Sequence, residues 1–182
     1  MVNLQPQSTT ERGAHILLDE EDERARVLLV EAGAGKATYA LDVAHVREVI
    51  RNRLTTRVPG TPTVMRGLVN VRGMVVTVLD LAVCLGYEPV TPGGIPAGIV
   101  TEGRAQMPGS IVLLEHGSRL VGLAVDQVRE VRALDDEALV GQSNAVDGPP
   151  VLVRGLASAG GEVVTLLDVA ALISRHLISG ES

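Results

Sequence analysis

Met65-Arg-Gly-Leu-Val-Asn-Val-Arg-Gly-Met-Val-Val-Thr-Val-Leu-Asp-Leu81 decides how this chain folds. Two apolar runs, Leu68–Val71 and Met74–Leu79, flank the pair Arg72-Gly73. β-Branched valines fill both runs, and a polar residue followed by glycine separates them, which is the pattern of a strand, a tight turn and a returning strand. Asp80 then precedes the apolar run Leu81–Leu85, and Gly86 closes it. An aspartate in front and a glycine behind mark the two ends of a short helix.

The unit recurs. Arg154–Val169 repeats it at a constant shift of 88, with identities at Arg66/Arg154, Gly67/Gly155, Gly73/Gly161, Val75/Val163, Thr77/Thr165 and Asp80/Asp168. Upstream, Leu41–Val49 matches Leu123–Val131 at a shift of 82, and Leu28–Gly33 matches Val112–Gly117 at 84. Three blocks in the same order imply duplication of a β-rich subdomain, since the period is too long for a solenoid or propeller. The duplication predicts two similar halves related by a pseudo-twofold axis, with an aliphatic groove between them.

Composition narrows the classes. The 182 residues are 46% hydrophobic with no Phe or Trp and two Tyr, so the core is aliphatic. Cys84, the single cysteine, forms no intrachain disulfide and falls on the apolar face of the short helix. No run approaches the length of a membrane span, and Met1–Glu23 is polar and acidic rather than basic and then apolar, which predicts a cytoplasmic protein with no membrane insertion. The net charge of −6 is uneven. Six acids in residues 1–24 face two arginines, whereas residues 41–73 carry Arg47, Arg51, Arg53, Arg57, Arg66 and Arg72 against Asp42 and Glu48. The arginine stripe lacks interleaved aromatics and a recognition helix, so it reads as a protein-docking or solvated face and not as a nucleic-acid site.

Taken in order, residues 1–25 form a flexible acidic arm with Ile16-Leu17-Leu18 as a short apolar element. Arg26–Ala32 and Ala37–Asp42 are strands about a Gly33–Gly35 turn, Val43–Val46 is a helical turn, and Arg47–Arg51 is a strand. The first barrel is expected at about 26–86 and a proline-rich linker at 87–109. The second barrel follows at about 110–172, with Ala133–Asp147 as a loop and a C-terminal helix at 169–178.

Chemistry is sparse. Asp80 and Asp168, one from each half, evoke the shared-proton dyad of a duplicated aspartyl hydrolase. Their Leu-Asp-Leu and Leu-Asp-Val contexts ahead of helical runs instead fit N-caps. His15, His45, His116 and His176 show no ligand spacing, and Gly33-Ala-Gly35 lacks the rest of a phosphate loop. The expectation is a binding module with no catalytic residues, cofactor or metal.

The chain resembles the CheW family, the adaptors of bacterial chemosensory arrays. Three stretches carry the resemblance: Tyr39-Ala-Leu-Asp-Val-Ala-His-Val-Arg-Glu-Val-Ile50, Arg57-Val-Pro-Gly-Thr-Pro62 and Arg66–Leu81. It implies a mainly β fold of two SH3-like five-stranded barrels. It also implies a non-catalytic coupler between the cytoplasmic tips of methyl-accepting chemoreceptors and the regulatory domain of a CheA-type histidine kinase. Carried over by position, the partner-binding residues are Val46, Glu48, the pair Arg66-Gly67, Asn70, Arg72 and Gly73 of the hairpin turn, and Gly122 near the groove. On the bare sequence Val46 also fits a core position, Glu48 has Arg51 and Arg66 as candidate ion partners, and Asn70 and Gly73 fit turn geometry alone. Arg72 has no such explanation. Its counterpart Gly160 shows that a hairpin of this kind needs no arginine, which points to recognition. Thr77 stands where the family carries proline, and the first strand lacks its usual phenylalanine.

Overall fold

A computed structural model describes residues 25–34, 37–88, 109–135 and 150–177. The acidic arm up to Arg24, most of the linker and residues 136–149 of the second loop lie outside these. Among the described residues ten strands and two α-helices follow in order: β1 (Arg26–Ala32), β2 (Ala37–Asp42), β3 (Val46–Arg51), β4 (Met65–Val71), β5 (Met74–Asp80), α1 (Leu81–Cys84), β6 (Ser110–His116), β7 (Arg119–Val125), β8 (Gln127–Ala133), β9 (Val153–Ala159), β10 (Glu162–Leu167) and α2 (Val169–Leu177). A single 3-10 turn, Val43–His45, joins β2 to β3, and Asp42 caps it by accepting the Ala44 amide at 2.9 Å.

The strands form two five-stranded sheets, ordered β8-β1-β2-β10-β9 and β3-β6-β7-β5-β4. This corrects the division into barrels of residues 26–86 and 110–172: each sheet takes strands from both halves. Hairpin β1–β2 sits between β8 and β10, and its counterpart β6–β7 sits between β3 and β5. Replacing every strand by its duplicate (β1 by β6, β2 by β7, β3 by β8, β4 by β9, β5 by β10) turns one strand order into the other. The pseudo-twofold relation therefore holds with the last three strands of each half exchanged. Alternation along a strand fixes which face is buried but not which strand lies alongside, so the duplication alone gave no hint of the exchange.

Both central hairpins are buried on two faces, which is why their sequences are nearly continuous apolar runs. In the first sheet Val27 and Leu29 turn toward Ala40, Ala157, Ala159, Val164 and Leu166. In the second, Ile111 and Leu113 turn toward Val69, Val71, Val76 and Val78. The opposite faces meet between the sheets, where Leu28, Val30, Tyr39 and Leu41 pack with Val112, Leu114, Val121 and Leu123 under α1 and α2. The aliphatic groove expected between the halves is thus a packed core. Tyr39 is fully buried there, and its hydroxyl lies 2.9 Å from that of Tyr87.

Asp80 and Asp168 each end a strand and begin a helix. Asp80 Oδ1 accepts the Val83 amide at 3.3 Å, and Asp168 Oδ1 accepts the Ala171 amide at 2.8 Å. Each carboxylate serves its own helix, on its own sheet, as an N-cap. The cap geometry gives the dyad reading no support.

Candidate functional site

The β4–β5 turn is tight because both central residues take positive φ, 52° at Arg72 and 88° at Gly73. That is the two-residue hairpin turn whose twist matches the flanking strands. Asn70 braces it, its Oδ1 accepting the Gly73 amide at 2.9 Å. Glycine adopts this conformation freely, whereas an arginine there is strained. The equivalent turn uses Gly160 and Gly161, at 61° and 79°. At Arg72 the chain therefore accepts strain at a position its duplicate fills with glycine.

The guanidinium folds back over the edge of the sheet. Arg72 Nη2 donates to Glu48 Oε1 at 2.9 Å, with the arginine side chain 78% exposed and the glutamate 29%. This corrects the partners considered for Glu48, Arg51 and Arg66. The pair spans the seam between the edge strands β3 and β4. Beyond β3 the chain crosses to β4 as well: Thr56 and Leu68 exchange backbone hydrogen bonds at 2.8 Å, and Arg53 Nη1 donates to the Asn70 carbonyl at 3.5 Å. Leu54, in the chain beyond β3, and Met74 and Val75, at the start of β5 just after the turn, are exposed. An arginine held on a rigid turn beside apolar side chains is an arrangement suited to a protein partner, since the fork keeps donors free for a carboxylate or carbonyl.

The remaining carried-over residues do not share that exposure. Gly67 is buried at φ 142°, and a Cβ there would stand 2.5 Å from the Thr56 carbonyl oxygen; the glycine lets β4 meet the chain that crosses the seam. Arg66 occupies the irregularity just before it, where its carbonyl accepts from Thr55 Oγ1 at 3.1 Å. Val46 is half-buried against the core between the sheets. Gly122 is buried inside the second sheet, its absent Cβ facing Ile111 and Val78 at 2.9 and 3.1 Å and not a groove. Gly67 and Gly122 thus allow close packing of the chain around them.

A matching cluster in the first sheet went unnoticed in the sequence. Arg132 on β8 donates to the Ala159 carbonyl at 3.1 Å and lies 3.5 Å from Glu162, while Arg129 donates to Glu162 at 2.8 Å. Asp135 accepts the amides of Gly160 and Gly161, each at 3.2 Å, and the Ser158 hydroxyl. Here the arginine comes from the edge strand and the acid from the hairpin, the reverse of Glu48 and Arg72. The contrast between Arg72 and Gly160 consequently does not isolate recognition by itself, because the second seam carries its own arginine. Constant shifts hid it: Arg132 replaces Ile50, and Glu162 replaces Met74.

Among the described residues no group of His, Cys, Asp and Glu is placed to hold a metal ion, and no helix is long and apolar enough to cross a membrane. Burial pushes the Cys84 thiol up to about 12, with nearby Asp80 adding to the effect. A thiol so shifted is inert at neutral pH.

The CheW-like domain model matches residues 26–176. The chain belongs to the CheW-like domain family. This CheW-like domain is 28% identical over 143 residues to the chemotaxis protein CheW of Klebsiella aerogenes, covering 78% of each chain. It is 26% identical over 148 residues to a probable chemotaxis protein CheW of Rhizobium etli, covering 81% of this chain and 87% of the relative. Among solved structures it is similar in fold to the scaffolding protein TtCheW of Thermoanaerobacter tengcongensis, with a TM-score of 0.65 at 22% identity, covering 82% of this chain and 88% of that one.

Proposed function

We propose that this CheW-like protein is a non-catalytic adaptor of a chemosensory system, coupling chemoreceptor cytoplasmic tips to the regulatory domain of a CheA-type histidine kinase. The observation that carries the reading is the match to the CheW-like domain over residues 26–176, joined to relatives named as chemotaxis proteins. The geometry supports a role in binding. Glu48 and Arg72 are the contact residues, Asn70 and Gly73 hold the turn that presents them, and Arg66, Gly67, Val46 and Gly122 maintain the sheet behind. Two rigid sheets joined through a common core give an adaptor two separated faces that move as one. Recruitment to a receptor array then follows from binding.

Titration of the purified protein with a receptor-tip fragment and with the kinase regulatory domain tests this. Binding of both, together, is expected. Arg72→Ala should weaken at least one of the two by roughly 1–3 kcal/mol if it anchors an interface. Arg72→Lys should recover only part, because an ammonium lacks the planar fork. Retention of neither partner by the wild-type protein would overturn the adaptor reading. Wild-type affinity for both in Arg72→Ala would remove Arg72 from the site.

A further inference from the structure

Of the eight strand ladders among the described residues, four lie within a half: β1–β2, β4–β5, β6–β7 and β9–β10. The other four, β1–β8, β2–β10, β3–β6 and β5–β7, join one half to the other. Neither half contains a sheet. Residues 26–86 hold two hairpins with β3 between them, and residues 110–177 hold the duplicates. Isolated hairpins are marginal in water, so each half depends on the other for its neighbours and for the core, where Leu28, Val30 and Leu41 meet Val112, Leu114 and Leu123.

The only covalent connection between the halves is the segment after Glu88 and before Gly109, with prolines at 89, 92, 96 and 108. Each end of that segment is tied to its own half. Tyr87 lies against Gly33 and its hydroxyl meets that of Tyr39, all in the first half. Gly109, at φ 99°, is wedged against the Val125 carbonyl in the second. Nothing in the inter-half ladders or the core requires that the two halves belong to one polypeptide.

We propose that two copies of this chain exchange halves, residues 26–86 of each pairing with residues 110–177 of the other. The exchanged dimer makes the same ladders and the same core as two separate molecules. It closes as a twofold pair in which every inter-half ladder is made, so no half is left over to recruit a third copy. The balance between the two forms is then set by the effective concentration of one half around the other, on the order of millimolar when a covalent connection keeps two partners close. Single molecules dominate at micromolar concentration, and exchange becomes substantial when chains fold together near millimolar. Interconversion requires all four inter-half ladders to break, so each form, once made, persists on the timescale of unfolding.

A disulfide placed across an inter-half ladder reports which chain each half comes from. Arg51 and Ser110 are Cα partners on the β3–β6 ladder, at a separation a disulfide spans. The full-length R51C/S110C variant is unfolded, refolded under reducing conditions at ~5 μM or ~1 mM, oxidised after folding, and run on a non-reducing denaturing gel. Cys84 stays silent because it is buried in the folded protein. We expect single-chain bands at the low concentration and at least a tenfold larger share of disulfide-linked dimer at the high one. Wild-type protein refolded alongside should show the same split on gel filtration, with unchanged far-UV circular dichroism. A single-chain band at every concentration, with thiol counting showing the disulfide complete, overturns the proposal. A native dimer whose chains separate on the denaturing gel overturns it too, since that dimer is held by surface contact.

Discussion

Replacing Arg72 by glycine and by alanine separates the strain at the hairpin tip from the ion pair its side chain makes. Arg72 sits at φ 52°, a left-handed conformation that costs an L-residue roughly 1–2 kcal/mol. Its pair with Glu48 is short at 2.9 Å, but the arginine is 78% exposed, so the pair contributes about 0.2–1 kcal/mol. Arg72→Ala keeps the strain and loses the pair, and should lower stability by about 0.5 kcal/mol. Arg72→Gly loses the same pair, relieves the strain and adds about 0.5–1 kcal/mol of backbone entropy cost. The glycine variant should therefore be more stable than the alanine variant by roughly 0.5–1 kcal/mol, and close to wild type. Urea unfolding followed by circular dichroism measures both, and a double-mutant cycle with Glu48→Gln isolates the pair. A glycine variant less stable than the alanine variant would refute the account of strain. A coupling energy of zero would show that Glu48 contributes nothing to holding the arginine.

Gly67→Ala should cost about 3 kcal/mol in the same assay, because its Cβ would meet the Thr56 carbonyl at 2.5 Å; a loss below ~1 kcal/mol would mean the seam opens freely. Gly73→Ala meets no atom within 4 Å and should cost only the positive φ, about 1 kcal/mol. Asp168→Ala removes the cap of α2 and should cost about 1 kcal/mol, with Asp168→Asn near wild type; equal losses in the two variants would assign the carboxylate another role. His176 is held below its ordinary value of 6.5 by burial and by Arg175. The unfolded chain then binds the proton more readily, so stability is intact above pH 6.5 and falls as pH drops through the lower native value. His176→Gln should flatten that slope in pH-dependent thermal unfolding, and an unchanged slope would exclude His176 as its source.

What the sequence shows and what it hides divides along physical lines. The strands were legible because Val-rich runs broken by Arg72-Gly73 leave few conformations open, and three recurring blocks revealed the duplication. The helix caps at Asp80 and Asp168 were legible because capping is local. Strand partners were not, since β1 reads the same whether its neighbour is β3 or β8. The partner of Glu48 was missed for a related reason: it lies 24 residues away across a seam, whereas Arg51 is near in sequence but faces solvent. Gly122 was placed beside a groove on resemblance, while the crowding by Ile111 and Val78 that accounts for it is visible only in three dimensions.

The strand order also dictates a timetable for synthesis. The β1–β2 hairpin leaves the ribosome first, yet its neighbours β8 and β10 are among the last strands made. The second sheet can close once β7 has emerged, at Val125, but its face carrying Val112, Leu114 and Leu123 stays uncovered until the first sheet is complete at Leu167. No stop short of the C-terminal strands yields a finished unit. A nascent chain of this protein therefore carries unpaired strand edges and bare aliphatic surface for nearly the whole of its translation, and a truncated product becomes a substrate for chaperones and proteases.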